Sequence, residues 1–307
     1  MFHYTPQQLQ ETTQWVIEQA HKQGAYDCVV EVSESLSLDV QTRNLELENV
    51  EKTHDQSLSL TVYLGNKQDG FCRASCSSSD FSEVSLHKLI EGAIAIAQYT
   101  QKDIHAGLAE NTIYADANIV AKNKQLDLHQ TWSDLSIESA IHMAQEMEKC
   151  GLNHDLISQS EGAGVNSSEG HFWLANSVGF SGGYAFSRHS LFANFIAGSN
   201  ENDEDGENSM QSGGYHHSTR HYLDLENPVI IGTKAVQDTI EKLNPQTIPS
   251  GTYPVLFSNE LSCGLLGSFA YANNGSLLYR QETFIAQNDF NQHPSKYFEQ
   301  LLLCQQN

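Results

Sequence analysis

The sequence predicts an α+β fold in three parts: an N-terminal helix–antiparallel sheet–helix domain (1–110), a middle domain of one helix plus a β-meander (111–227), and the start of a β-rich C-terminal domain (228–307). Three observations predict it. Apolar and polar residues alternate from Cys28 to Ser75, the period of half-buried strands. Helix-start signals stand on both sides of that stretch. A run punctuated by Gly, Ser and Asn, from Ile157 to Gly198, breaks into short alternating pieces, as successive hairpins do.

Each element follows from its residues. Thr5-Pro6-Gln7-Gln8 is a capping box with proline at the first helical position, and Leu9, Val16, Ile17 and Ala20 then recur at helical spacing up to Gly24. Val30, Val32, Leu36, Leu38 and Val40 mark one strand, and Leu58, Leu60, Val62 and Leu64 another. Asn66–Gly70 is a turn before a strand at Phe71–Ser75, completing an antiparallel meander with one wet face. Asp80-Phe81-Ser82-Glu83 reads as a second capping box, opening a helix whose apolar side is Leu86, Leu89, Ile90, Ala93, Ile94 and Ala97. Residues 101–130 suit a connector. A third helix is expected over Ser136–Cys150, with Ile137, Ala140, Ile141, Ala144 and Met147 in register, and a fourth over Val229–Leu243. Ser199–Glu207 is an acidic solvated loop, Tyr253–Phe257 a compact apolar strand, and Leu261–Ala270 a helix.

Composition narrows the function. The 307 residues carry 38 Asp and Glu against 16 Lys and Arg, a net charge of -22. Such a surface repels phosphate backbones and anionic headgroups, so nucleic acid and membrane are not expected partners. The first residues lack the basic flank and apolar run of a signal peptide, and no stretch approaches the roughly 20 apolar residues that span a bilayer. A cytoplasmic protein with reduced thiols is expected.

The search for self-contained chemistry is mostly negative. Among fourteen histidines no H-E-x-x-H or H-E-x-x-x-H occurs. The weak metal candidates are His217 and His221, four residues apart without a glutamate between them and preceded by Gly213-Gly214. Cys72 and Cys76 are spaced C-x₃-C with no second pair beside them. No G-x-S-x-G, Walker A or G-x-G-x-x-G motif is present. No catalytic residue is assigned.

Four stretches in order carry a resemblance: LELENVEKTHDQSLSLTVYLGNKQDG from Leu45, IAIAQYTQKDIHAGL at the end of the second helix, SEGAGVNSS with NSVGFSGGYAFSRHSLFANFIA within 160–197, and TIPSGTYPVLFSNELSCGLLGSFAYANNGSLLYR ending at Arg280. Together they resemble the PmbA/TldE branch of the TldD/PmbA metallopeptidase family. The resemblance implies a subunit of a heterodimer enclosing a proteolytic chamber, acting on unfolded peptides in peptide-antibiotic maturation and antitoxin degradation. It implies that zinc belongs to a TldD-type partner with an H-E-x-x-x-H helix, and that this chain carries no cofactor. At the matching position stand Gly264, Leu265, Gly267 and Ser268, which replace the zinc ligands. Gly179, Gly182, Gly183 and Gly213 are weak chamber-lining positions, with ordinary turn glycines as the stronger alternative. Family members continue well past the G-S-L-L-Y-R passage, so a C-terminally truncated chain with an aberrant tail at 285–307 is expected. The alternatives are a stand-alone peptide-binding adaptor and a truncated relic.

Overall fold

A computed structural model describes residues 2–110, 114, 127–198 and 210–285. The acidic loop and almost all of the predicted tail lie outside the described residues. The chain forms two compact units, Met1–Pro245 and Gln246–Asn307.

In the first unit, helix α1 (Pro6–Lys22) begins as predicted: Thr5 accepts the Gln8 amide, and Gln8 reaches back to the Thr5 amide. Strands β1 (Asp27–Arg43), β2 (Glu46–Asn66) and β3 (Gly70–Ser78) form the first meander. Helix α2 (Glu83–Gln98) follows, capped by Ser82 rather than Asp80. Asp80 instead accepts the amide and hydroxyl of Ser82 and the hydroxyl of Ser85, in a turn ahead of the helix. That bracing shifts the predicted cap by two residues. Helix α3 (Ile137–Leu152) leads into the second meander, β4 (Ile157–Asn176), β5 (Ser181–Ala197) and β6 (Gln211–Thr219). A short 3-10 turn (Tyr222–Asp224) and helix α4 (Pro228–Ile240) complete the unit.

The two meanders are one sheet, with strand order β3-β2-β1-β4-β5-β6 and every pair antiparallel. The join is β1 against β4, in register from Val29 opposite Asn176 to Thr42 opposite Ala163. Two helix pairs cover it. α1 and α2 pack Leu9, Val16, Ile17, Leu86 and Ile90 onto Val30, Val32, Leu58, Leu60 and Val62. α3 and α4 pack Ala140, Ala144, Met147, Ile231 and Ala235 onto Val40, Val165, Leu191 and Phe195. Val30, Val32 and Val40 share one strand parity, so both cores lie on the same face of β1. α4, assigned by sequence to the third domain, belongs to the second core.

The β1–β2 hairpin needs support. Asn44 and Leu45 both have left-handed backbone, with φ of 53° and 64°. This two-residue turn suits the twist of a hairpin, but the conformation costs a non-glycine residue roughly 1–2 kcal/mol. Glu148 of α3, fully buried, accepts the amides of both turn residues and the hydroxyl of Ser160. Gln145 donates to the Leu45 carbonyl at 2.8 Å. Helix α3 therefore grips the turn through charge-assisted bonds.

The second unit contains helices α5 (Asn259–Ala272) and α6 (Gly275–Arg280). Tyr253–Phe257, predicted as a strand, pairs with no described strand, and Leu256 is 98 % exposed. An apolar run becomes a strand only where a neighbour supplies the second half of its ladder.

Replacing Glu148 by Ala strands two amides and a hydroxyl. Urea unfolding should show a loss of about 3 kcal/mol, against a change near zero for the exposed Glu241→Ala.

Candidate functional site

Between the two cores, the inward face of the sheet turns polar. In β1 the apolar series Val30, Val32 is interrupted at Glu34, whose side chain has 0 % exposure. Four donors meet it. The amides of His3 and Tyr4 come from the segment ahead of α1, the Tyr4 amide at 3.1 Å. His54 Nε2 from β2 lies 2.6 Å from Oε1, and His171 Nε2 from β4 lies 3.0 Å from Oε2. Burial by itself pushes this carboxyl up; the His3 amide, His171, the Tyr4 amide and His54 outweigh it and hold the pKa at about 2. Glu34 is thus a permanent anion near neutral pH, fitted to accept hydrogen bonds or ligate a cation and not to act as a general acid. The Phe2 ring stacks on His171 at 4.1 Å, and the His3 ring on His54 at 5.3 Å.

The polar seam continues along the sheet. Glu169 accepts from His129 Nε2 at 3.0 Å and from the Thr131 hydroxyl at 2.9 Å. His189, fully buried, faces Ser167 through Nδ1 at 2.9 Å and the Gln130 carbonyl through Nε2 at 2.9 Å. A carbonyl only accepts, so Nε2 carries the proton and the neutral ring's Nδ1 accepts from Ser167. Burial drives the His189 pKa down, which favours that neutral ring. Ser167 and His189 are both buried, with 8 % and 0 % exposure, so no substrate reaches the hydroxyl, and the pair braces the 127–132 segment. Ser187 accepts the Gln130 amide and donates to the Arg220 carbonyl, and Trp132 stacks on Tyr222 with ring centroids 5.2 Å apart.

The sequence-predicted positions lie elsewhere. His217 Nδ1 accepts the Glu226 amide at 3.2 Å, whereas His221 Nε2 meets the Asp127 carbonyl at 3.0 Å. One sits in β6 and the other just beyond it, each with its own partner. Cys72 and Cys76 both lie in β3, where four residues of strand separate them by about 13 Å, too far to share an ion. Gly179 takes the turn between β4 and β5 with φ of 102°, and Gly182 is paired opposite Leu174. A Cβ at Gly183 would strike the Phe172 backbone, and one at Gly213 would come within 2.6 Å of Thr239 Cα, so Gly213 admits α4 to the sheet. Gly264, Leu265, Gly267 and Ser268 lie on α5; Ser268 spends its hydroxyl on the Gly264 carbonyl at 2.9 Å. Glycine and leucine offer no ligand atom, so these four residues do not fit zinc. Among the described residues, the one group of three or more His, Cys, Asp or Glu side chains with ion-sized spacing is His3, Glu34 and His54, whose ligand atoms lie within 4.8 Å of one another. The sequence offers one sign of it: a carboxylate at an inward strand position. Its partners are too remote to be read from spacing.

Similarity to known proteins agrees with this architecture. The PmbA/TldA metallopeptidase domain 1 matches residues 27–97, and the PmbA/TldA metallopeptidase central domain matches residues 130–243, together more than half of the chain. The chain is 32% identical over 281 residues to the metalloprotease PmbA homolog of Haemophilus influenzae and 33% identical over 258 residues to metalloprotease PmbA of Escherichia coli O157:H7. Those matches cover 91% and 83% of this chain, and 58% and 53% of the relatives, so it spans little more than half their length. In fold it is similar to a protein described as a modulator of DNA gyrase from Bacteroides thetaiotaomicron, with a TM-score of 0.77 at 22% identity, covering 89% of this chain and 59% of that one. It is also similar to TldE from Thermococcus kodakarensis, with a TM-score of 0.56 at 14% identity and coverage of 75% and 47%. The fold and the matched domains define a member of the PmbA/TldD metallopeptidase family. The chain belongs to that family as a PmbA/TldE-type protein.

The protonation states of the seam predict a pH response. A His189 pKa below its ordinary 6.5 means that the unfolded chain binds more protons as pH falls through that value. The stability this residue contributes is complete above about 6.5 and is lost on further acidification. Glu34 adds a second loss, beginning near its ordinary 4.5 and running down to about 2. Thermal midpoints measured across this range should fall in two stages, and His189→Gln should flatten the upper one.

Proposed function

We propose that this chain is the PmbA/TldE-like, non-catalytic subunit of a heterodimeric zinc metalloprotease that cleaves unfolded peptides in the cytoplasm. A TldD-type partner would supply the zinc. The observation that carries this reading is helix α5: at the position where the family resemblance places a zinc helix, it presents Gly264, Leu265, Gly267 and Ser268. A metallopeptidase family member without ligands at that helix fits a role beside a chain that supplies the metal. This chain's part is to form chamber wall, with Gly179 and Gly182 among the positions where backbone can approach a peptide, since Gly183 and Gly213 are used in packing the sheet. Two further observations are compatible with the cytoplasmic assignment. The described cysteines are free thiols, and no helix among the described residues is long and apolar enough to cross a membrane.

A tagged copy purified from its own cells, with bound proteins identified by mass spectrometry, tests the proposal. Recovery of an H-E-x-x-x-H protein in roughly equimolar amount is the expected result. Isolation of the chain alone, with peptides bound and no such partner, would overturn the subunit assignment in favour of a stand-alone peptide binder.

A further inference from the structure

We propose that His3, Glu34 and His54 form a binding site for a divalent transition-metal ion, best matched by Zn²⁺, separate from the family's peptidase metal. The site joins three chain segments: the residues before α1, the middle of β1 and the first half of β2. Its centre is the buried Glu34 carboxylate, beside which lie two exposed imidazoles with all ligand atoms within 4.8 Å of one another.

The donor set selects the ion. Two imidazoles and one carboxylate suit Zn²⁺ and its borderline neighbours, whereas Ca²⁺ and Mg²⁺ want oxygen ligands throughout. The spacing requires only local closure. Ligands around tetrahedral zinc lie about 3.3 Å apart, given bonds of about 2.0–2.2 Å. His54 Nε2, now 2.6 Å from Glu34 Oε1, would open slightly to admit the ion. The Nε2 proton that now bonds Oε1 passes to solvent as the ring takes its Nδ1–H tautomer or loses its charge, and the freed nitrogen lone pair and the carboxylate oxygen both turn to the ion. The remaining donor pairs close from at most 4.8 Å. Both histidines are exposed, so the side-chain rotation this needs meets solvent and not packed core.

The surroundings already hold the carboxylate in place. His171 Nε2 and the Tyr4 amide bind Oε2 on the inner side, and Phe2 stacks on His171. Such outer contacts fix the orientation of a metal-ligating carboxylate. A water on the exposed side completes the coordination. The ion would lash residues 2–4 to strands β1 and β2 and close that end of the polar seam, as a structural clamp rather than a catalytic centre.

The test uses the untagged full chain, stripped with a chelator and titrated with zinc chloride by calorimetry, with thermal unfolding followed in parallel. The expected result is one saturable site and a rise in unfolding midpoint. Both should vanish in the double variant His3→Ala/His54→Ala and persist in His217→Ala/His221→Ala. The single variant His3→Ala keeps its amide bond to Glu34 and so spares the apo fold. It should weaken zinc binding at least tenfold, or about 1.4 kcal/mol. Absence of a saturable site in the parent chain, or undiminished binding in His3→Ala, overturns the proposal.

Discussion

An ionised carboxylate cannot sit under a β-sheet's covering layer unless its oxygens are supplied with donors. Glu34 imposes that condition on the middle of the six-stranded sheet. Meeting it draws in the segment before α1, strand β2 through His54 and strand β4 through His171. The residue therefore ties the chain's first residues to strands from both meanders, at the point where neither hydrophobic core reaches. Glu148 does the corresponding work under the second core, where it accepts the amides of a left-handed turn. The same device appears twice: a buried acid takes backbone amides that no strand or helix can satisfy.

Around these two acids the architecture is economical. β1 is hydrogen-bonded on both sides, to β2 and to β4, over nearly its whole length. It carries residues of the first core at one end and of the second at the other. The two matched family domains are thus distinct in sequence but share one sheet. The polar seam between their cores is where that sharing shows, since the segments ahead of α1 and at 127–132 cover it with histidine, threonine and tryptophan.

Legibility from sequence followed the range of the interactions. Leu86, Leu89, Ile90, Ala93, Ile94 and Ala97 were readable as one helix face and all are buried, because helical periodicity is local. The Thr5–Gln8 capping box was equally local and formed as read. Asp80 was misread as a cap because its side chain prefers to brace Ser82 and Ser85, a choice between neighbours that spacing does not settle. The pairing of β1 with β4 was out of reach, as nothing in either alternating pattern says which distant strand lies alongside. The Glu34 group was half legible. Strand parity turns Glu34 inward between Val32 and Leu36, yet His3, His54 and His171 meet it only after the sheet has assembled. Tyr253–Phe257 has a strand's composition without a partner among the described residues.

The long central pairing also has a consequence in time. Val29 lies opposite Asn176, so β1 cannot complete its second ladder until the ribosome has delivered a segment more than a hundred residues further on. At about 5–20 residues per second that delay is on the order of ten seconds. The first meander can form early, but through the interval it displays a 17-residue strand with one unpaired edge. Contacts so distant along the chain also slow folding, because loop closure precedes the interactions that reward it. Synthesis of this chain therefore passes through an interval in which a nascent sheet edge has to stay free of other chains.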